Sequence, residues 1–89
     1  MTFLKDPGAS LDYTIDWSGW LGTDTIATST WTAATGIVIG VTANTTTSAT
    51  AWLSSGTVGQ IYAVTNHIVT AAGRTDSRTL EIEVQVKTL

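Results

Sequence analysis

Leu80-Glu81-Ile82-Glu83-Val84-Gln85-Val86-Lys87 alternates apolar and polar side chains without a break. A period of two places Leu80, Ile82, Val84 and Val86 on one face of an extended strand, with Glu81, Glu83, Gln85 and Lys87 on the other. One face is built to be buried and the other to meet water. Immediately upstream, Ala72-Gly73-Arg74-Thr75-Asp76 has the composition of a hairpin tip. Before it, Ile61 to Val69 supplies a long β-branched run to pair with the last strand.

The same reading extends to the start of the chain. Leu11, Tyr13, Ile15 and Trp17 alternate with Asp12, Thr14 and Asp16, and Ser18-Gly19 and Gly22 then interrupt the run around Trp20 and Leu21. A Thr-rich strand carrying Ile26 and Trp31 is expected from Thr23 to Thr32, followed by a connection over 33–36. Ile37, Ile39 and Val41 alternate with Val38 and Gly40, which reads as a strand buried on both faces. Gly40 inside it suggests a bulge or a close backbone approach. Asn44 to Ser48 is a polar turn, residues 49–53 form a strand, and Ser54-Ser55-Gly56 with Gly59 marks a loop. No segment carries an apolar stripe of helical period. Leu53, Gly56, Gly59 and Tyr62-Ala63-Val64 have the layout of a tyrosine corner, in which the Tyr hydroxyl would satisfy a stranded loop carbonyl.

Many short strands with turn signals between them predict an all-β chain. The expected architecture is an immunoglobulin-like (fibronectin III-like) antiparallel β-sandwich of about seven strands. The 89 residues are enough for one domain, read as 11–89, with residues 1–10 as an N-terminal arm. The arm holds Phe3, Leu4 and Lys5 ahead of Pro7. It is either a frayed end or a segment that lies on a neighbouring subunit.

Charged residues make up 12% of the chain and hydrophobic ones 43%, a balance that excludes disorder. Much of the surface must therefore be Thr, Ser, Ala and Gly, which suits coverage by another subunit. Four basic residues, Lys5, Arg74, Arg78 and Lys87, stand against seven acidic ones for a net charge of −3. They form no cluster able to neutralise phosphates or an anionic membrane, so neither nucleic acid nor membrane is expected as a partner. Without cysteine there is no disulfide framework, which fits synthesis in a reducing cytoplasm. The first residues lack the pattern of a secretory signal. Asn44-Thr45-Thr46 matches a glycosylation acceptor but reads as a turn.

The residue inventory argues against an enzyme. His67 is the single histidine, with no nucleophile elbow to accompany it. Asp12 and Asp16 on one strand face are about 13 Å apart, too far for a carboxylate pair. Glu81 and Glu83 are the wet face of the last strand. Asp24 and Asp76 are isolated, so no metal site is expected, and no glycine-rich cradle precedes a helix, so no cofactor is expected. Trp17 and Trp31 are expected in the core. Trp20, beside a glycine, and Trp52, opposite in parity to Ala51 and Leu53, are candidate contact residues. Arg74 and Arg78 near the hairpin tip could take carboxylates of an acidic partner, or pair internally with Asp12 or Asp16.

The stretch Lys5-Asp6-Pro7-Gly8-Ala9-Ser10-Leu11-Asp12-Tyr13-Thr14-Ile15-Asp16-Trp17-Ser18-Gly19-Trp20-Leu21 resembles a recurrent signature of small tailed-phage proteins. The likeness continues through Asp24 to Trp31 and closes with Ala71 to Leu80. Proteins of this kind are described as phage fibre–tail adaptors or minor virion structural proteins. The resemblance implies a non-enzymatic structural role in the virion, with other phage tail, fibre or capsid proteins as partners and a symmetric homo-oligomer in the particle. Phe3, Leu4, Lys5, Trp20, Trp52, Arg74 and Arg78 are then the expected partner-binding residues. A capsid decoration protein, or a carbohydrate- or receptor-binding module using Trp20 or Trp52, remains an alternative.

Overall fold

A computed structural model describes residues 2–86 of the chain. Seven strands run in chain order: β1 (Thr2–Lys5), β2 (Leu11–Asp16), β3 (Ile26–Ala33), β4 (Ile37–Asn44), β5 (Ser48–Ser55), β6 (Ile61–Thr70) and β7 (Thr75–Val84). One helical turn, α1 (Ser18–Leu21), follows β2. The strands form a four-stranded sheet in the order β1-β7-β6-β3 and a three-stranded sheet in the order β2-β5-β4. All pairs are antiparallel except β1 with β7, which is parallel.

The core between the sheets follows from parity. Tyr13, Ile15 and Trp17 enter it from the β2 side, Ala49, Ala51 and Leu53 from β5, and Val64, Ile68, Leu80, Ile82 and Val84 from β6 and β7. Alanines at 49 and 51 stand opposite Ile15 and Tyr13, and the Trp17 indole is fully buried. Alternating large and small side chains across a thin core is how facing sheets interdigitate.

Several expectations change. Residues 1–10 are not a separate arm: Thr2–Lys5 add a strand to the sheet, with Phe3 opposite Ile82 and Lys5 opposite Val84. The strand expected over 23–32 starts at Ile26, because α1 and a turn occupy the preceding residues. Ile26 and Trp31 differ in parity yet both pack inward, since a bulge between Ile26 and Thr28 inserts one residue and exchanges the faces. Trp31 is only half-buried, at the margin of the core rather than within it. The third strand is not buried on both faces: Ile37 is inside, while Val38 and Val41 are exposed. A register shift between Ile39 and Thr42 is the irregularity that Gly40 signalled. The last strand begins at Thr75 and ends at Val84, so Val86 lies exposed beyond it, and Lys87 falls outside the described residues.

Tyr62 closes the β5–β6 corner in a different sense from that expected. Its hydroxyl accepts the backbone N–H of Thr57 at 2.8 Å instead of serving a carbonyl. Gly36, at φ +112°, lies against the Tyr62 ring so closely that a Cβ would come within 2.7 Å of it. Only glycine fits both that conformation and that contact.

Candidate interaction surfaces

At one end of the molecule β2 runs into α1. Asp16 Oδ1 accepts the Ser18 N–H at 2.9 Å, which starts the turn, and the Trp17 N–H donates to the Thr47 carbonyl at 2.8 Å. The Ser18 N–H, helped by the nearby Arg78 charge, holds the Asp16 carboxyl below its ordinary range. The turn brings Trp17 and Trp20 edge to face, with ring centroids 5.5 Å apart. The hairpin β6–β7 then lays a guanidinium on each ring. Arg74 sits 4.4 Å over Trp20 and Arg78 sits 4.3 Å over Trp17. A cation over an indole face is attracted by the ring quadrupole.

Three of the expected contact residues, Trp20, Arg74 and Arg78, are thus brought together, but both guanidinium groups are engaged within the domain. Arg74 pairs through Nε with Asp24 Oδ2 at 3.1 Å and donates from Nη2 to the Leu21 carbonyl at 2.9 Å. Arg78 donates from Nη1 to the Asp16 carbonyl at 3.1 Å. Internal pairing therefore occurs, with Asp24 and a backbone oxygen in place of the Asp12 or Asp16 carboxylates. Asp24 is the hub of this end: it also accepts the N–H groups of Thr25 and Ala72. Its pKa is held down to about 2, first by the Thr70 hydroxyl.

The amino-terminal residues divide by parity. Phe3 points inward, its ring edge to face with Tyr13 at 5.3 Å. Lys5 is fully buried, and its ammonium donates to the Ser55 carbonyl at 2.7 Å and to the Asp6 carbonyl at 2.9 Å. Lys5 is therefore part of the domain interior, not of an outward contact, while Phe3 is partly buried against the core. Burial pushes the Lys5 pKa down, and the neighbouring Asp6 charge opposes this. Ser55 adopts φ +67°, the one non-glycine residue in the described chain to do so, and its carbonyl is the Lys5 acceptor. Leu4 alone of the three faces outward and is exposed.

Trp52 stands apart from both groups. It projects from β5, the central strand of the β2-β5-β4 sheet, opposite Asp12, and is 44% exposed. Along this outer face the Thr14 and Thr50 hydroxyls bond to each other at 2.8 Å. On the adjoining β4, Val38 and Val41 are 52% and 71% exposed. These valines were not singled out from the sequence, although a plain signal marks their region. From Thr25 to Gly73 the chain has no Asp, Glu, Lys or Arg. The fold gathers that run into β3, β4, β5 and β6, and places the charged residues on β1, β2, β7 and the segments beside them.

His67 is an exposed strand residue whose Nδ1 is 2.8 Å from Ser77 Oγ. Among the described residues, no three His, Asp or Glu side chains converge as a metal site would require.

No curated protein matches the chain. The sequence model of the podophage GP4 fiber-tail adaptor protein gp77 matches residues 5–83, nearly the whole chain, and the protein therefore belongs to that family of phage structural adaptors.

Proposed function

We propose that this fiber-tail adaptor works in the virion as an immunoglobulin-like β-sandwich that joins neighbouring tail or fibre proteins by surface contact. The outer face of the β2-β5-β4 sheet is the docking surface in this reading. The carrying observation is Trp52. A large aromatic side chain, 44% exposed at the centre of a face whose strands β4 and β5 bear no charge, gains most from being covered. Leu4, exposed on the outer face of the other sheet, is a second and separate candidate contact.

The immunoglobulin-like assignment is supported by strand order. With β2 to β7 taken as strands B to G, one sheet holds B, E and D and the other C, F and G, with β1 added to the latter beside G. Tyr62, near the start of the F-equivalent strand, bonds back into the preceding loop as a tyrosine corner does.

Quantitative mass spectrometry of washed particles tests the function. The parent chain is expected in stoichiometric copies, and Trp52→Thr, folded by circular dichroism, is expected to be lost or to yield particles without fibres. Full incorporation of Trp52→Thr would remove Trp52 from the docking surface. Should that variant assemble normally but lose glycan binding shown by the parent, the face belongs to a receptor. Absence of the parent chain from particles would end the adaptor reading itself.

A further inference from the structure

Resting on the docking reading above, we propose that the partner at the β2-β5-β4 face presents an arginine whose guanidinium lies between the Trp52 indole and the Asp12 carboxylate. That partner is a different protein with a basic contact patch.

Asp12 on β2 is paired directly with Trp52 on β5. Both side chains are exposed on the outer face, and their Cβ atoms are about 5 Å apart, as those of directly opposed residues are. A partner that covers Trp52 therefore covers Asp12 as well. An ionised carboxylate taken out of water without a counterpart is strongly unfavourable, so an apolar cover suits the indole but not the acid. A cation suits both. The ring quadrupole attracts it to the indole face, and its charge attracts it to the carboxylate.

The domain builds this combination once for itself. At the end formed by α1, Arg74 lies 4.4 Å over the Trp20 ring while its Nε stands 3.1 Å from Asp24 Oδ2. Indole, guanidinium and carboxylate are all present there. At Trp52 the indole and the carboxylate are present without the cation. Asp24 with Arg74 is the one ion pair among the described residues, and the guanidinium groups that stack do so on Trp17 and Trp20. On the β4 side, Gly40 comes so near that a Cβ would stand 3.8 Å from the Trp52 Cβ. Having none, it brings no side chain against the ring at that point.

Chemistry narrows the occupant further. A guanidinium lies flat on an indole and turns a fork of N–H groups toward a carboxylate, which the compact ammonium of lysine cannot match. A second copy has none to offer: Arg74 and Arg78 are the only arginines of the chain, and both are held on its own tryptophans. The net charge of −3 also favours a basic protein over another copy.

Competitive incorporation into particles tests the proposal, with parent and variant co-expressed and counted by mass spectrometry. Asp12→Asn keeps the size of an exposed side chain and removes its charge, so the fold should persist by circular dichroism. It is expected to lose incorporation by about tenfold or more, because it leaves the covered guanidinium without its counter-charge. Glu81→Gln, which removes an equal charge on β7 of the other sheet, should incorporate as the parent does. Val38→Cys adds a thiol to the docking face, since Val38 pairs with Ser54, two residues along β5 from Trp52. The chain has no other cysteine. Loaded with a maleimide–phenylglyoxal reagent, whose glyoxal end reacts with guanidinium, this variant should cross-link in particles to an arginine of another virion protein. If Trp52→Thr is lost while Asp12→Asn incorporates like the parent, the docking face stands and the arginine falls. Normal incorporation of both variants removes the docking face and this proposal with it. An equal loss for Glu81→Gln, or cross-links that run only to another copy, also overturns the proposal.

Discussion

The indole N–H of Trp17 donates to Asn66 Oδ1 across 3.0 Å, and both side chains are fully buried. Asn66 passes the connection on, donating from Nδ2 to Ser29 Oγ at 2.8 Å and to the Thr30 carbonyl at 3.0 Å. One amide therefore ties the residue that follows β2 to β3 in the opposite sheet, from its place on β6. A buried polar side chain is tolerable here because its groups are matched.

Replacing it tests how much the domain depends on the match. Asn66→Leu keeps the volume but strands the buried Trp17 N–H and takes the amide donor from the part-buried Thr30 carbonyl. Leaving the buried Trp17 N–H unsatisfied is expected to cost about 1–3 kcal/mol. For a chain of this size that corresponds to a drop in Tm of roughly 5–20 °C. Thermal unfolding followed by circular dichroism measures it, and a shift of only a degree or two would mean that the amide is dispensable.

The two tyrosines should respond to the same substitution with opposite signs. Tyr13 Oη is buried and has no hydrogen-bond partner among the described residues, whereas Tyr62 Oη accepts the Thr57 N–H. Tyr13→Phe removes an unsatisfied group and should be neutral or stabilising by up to about 1 kcal/mol. Tyr62→Phe strands the Thr57 N–H at the β5–β6 corner and should lower the Tm. Equal effects of the two substitutions would contradict the hydrogen-bond assignment. Urea unfolding of both variants side by side is the measurement.

How much of this could be read beforehand depended on distance along the chain. The inward set Tyr13, Ile15 and Trp17, and the set Leu80, Ile82 and Val84, obey strict alternation and are visible in the sequence. Alternation fails where a single residue is inserted: the bulge after Ile26 returns Trp31 to the same face, and no local composition announces it. Lys5 was hidden for another reason. Its type argues for solvent, and only its parity with Phe3 hinted that it points inward beside Val84. The stacking of Arg74 and Arg78 on Trp20 and Trp17 joins segments more than 50 residues apart, which periodicity cannot see. The charge-free run was open to view throughout, but it gained meaning only once β4 and β5 emerged as neighbours on the face that bears Trp52.

Acid should loosen the Trp20–Arg74 end before the core. The Asp24 carboxyl has a pKa of about 2 in the folded protein, against 3.8 for the ordinary carboxylate. A depressed carboxylate pKa means that the unfolded chain takes up the proton first. Its contribution is therefore complete above pH 3.8 and is lost as the pH falls toward 2. Asp24→Asn removes this titration. Unfolding free energies measured across that window should fall less steeply for the variant than for the parent. Parallel curves would assign the acid sensitivity elsewhere.

Alkali should act in the opposite direction through Lys5. Burial lowers its pKa from 10.5, because the charged ammonium loses hydration that the Ser55 and Asp6 carbonyls only partly replace. Between the folded value and 10.5 the unfolded chain holds more protons than the folded one, so stability should rise with pH across that interval. At neutral pH the buried charge is a cost, and an apolar side chain of similar length should relieve it. Lys5→Met is therefore expected to match or exceed the parent in stability at pH 7, and to lose the alkaline rise. Lys5→Ala should instead be destabilised, since it empties the space beside Val84 and releases β1 from Ser55. Urea titrations of the three proteins at pH 7 and pH 10 separate these effects. A Lys5→Met variant that is much weaker than the parent at pH 7 would show that the two carbonyl bonds outweigh the desolvation of the ammonium.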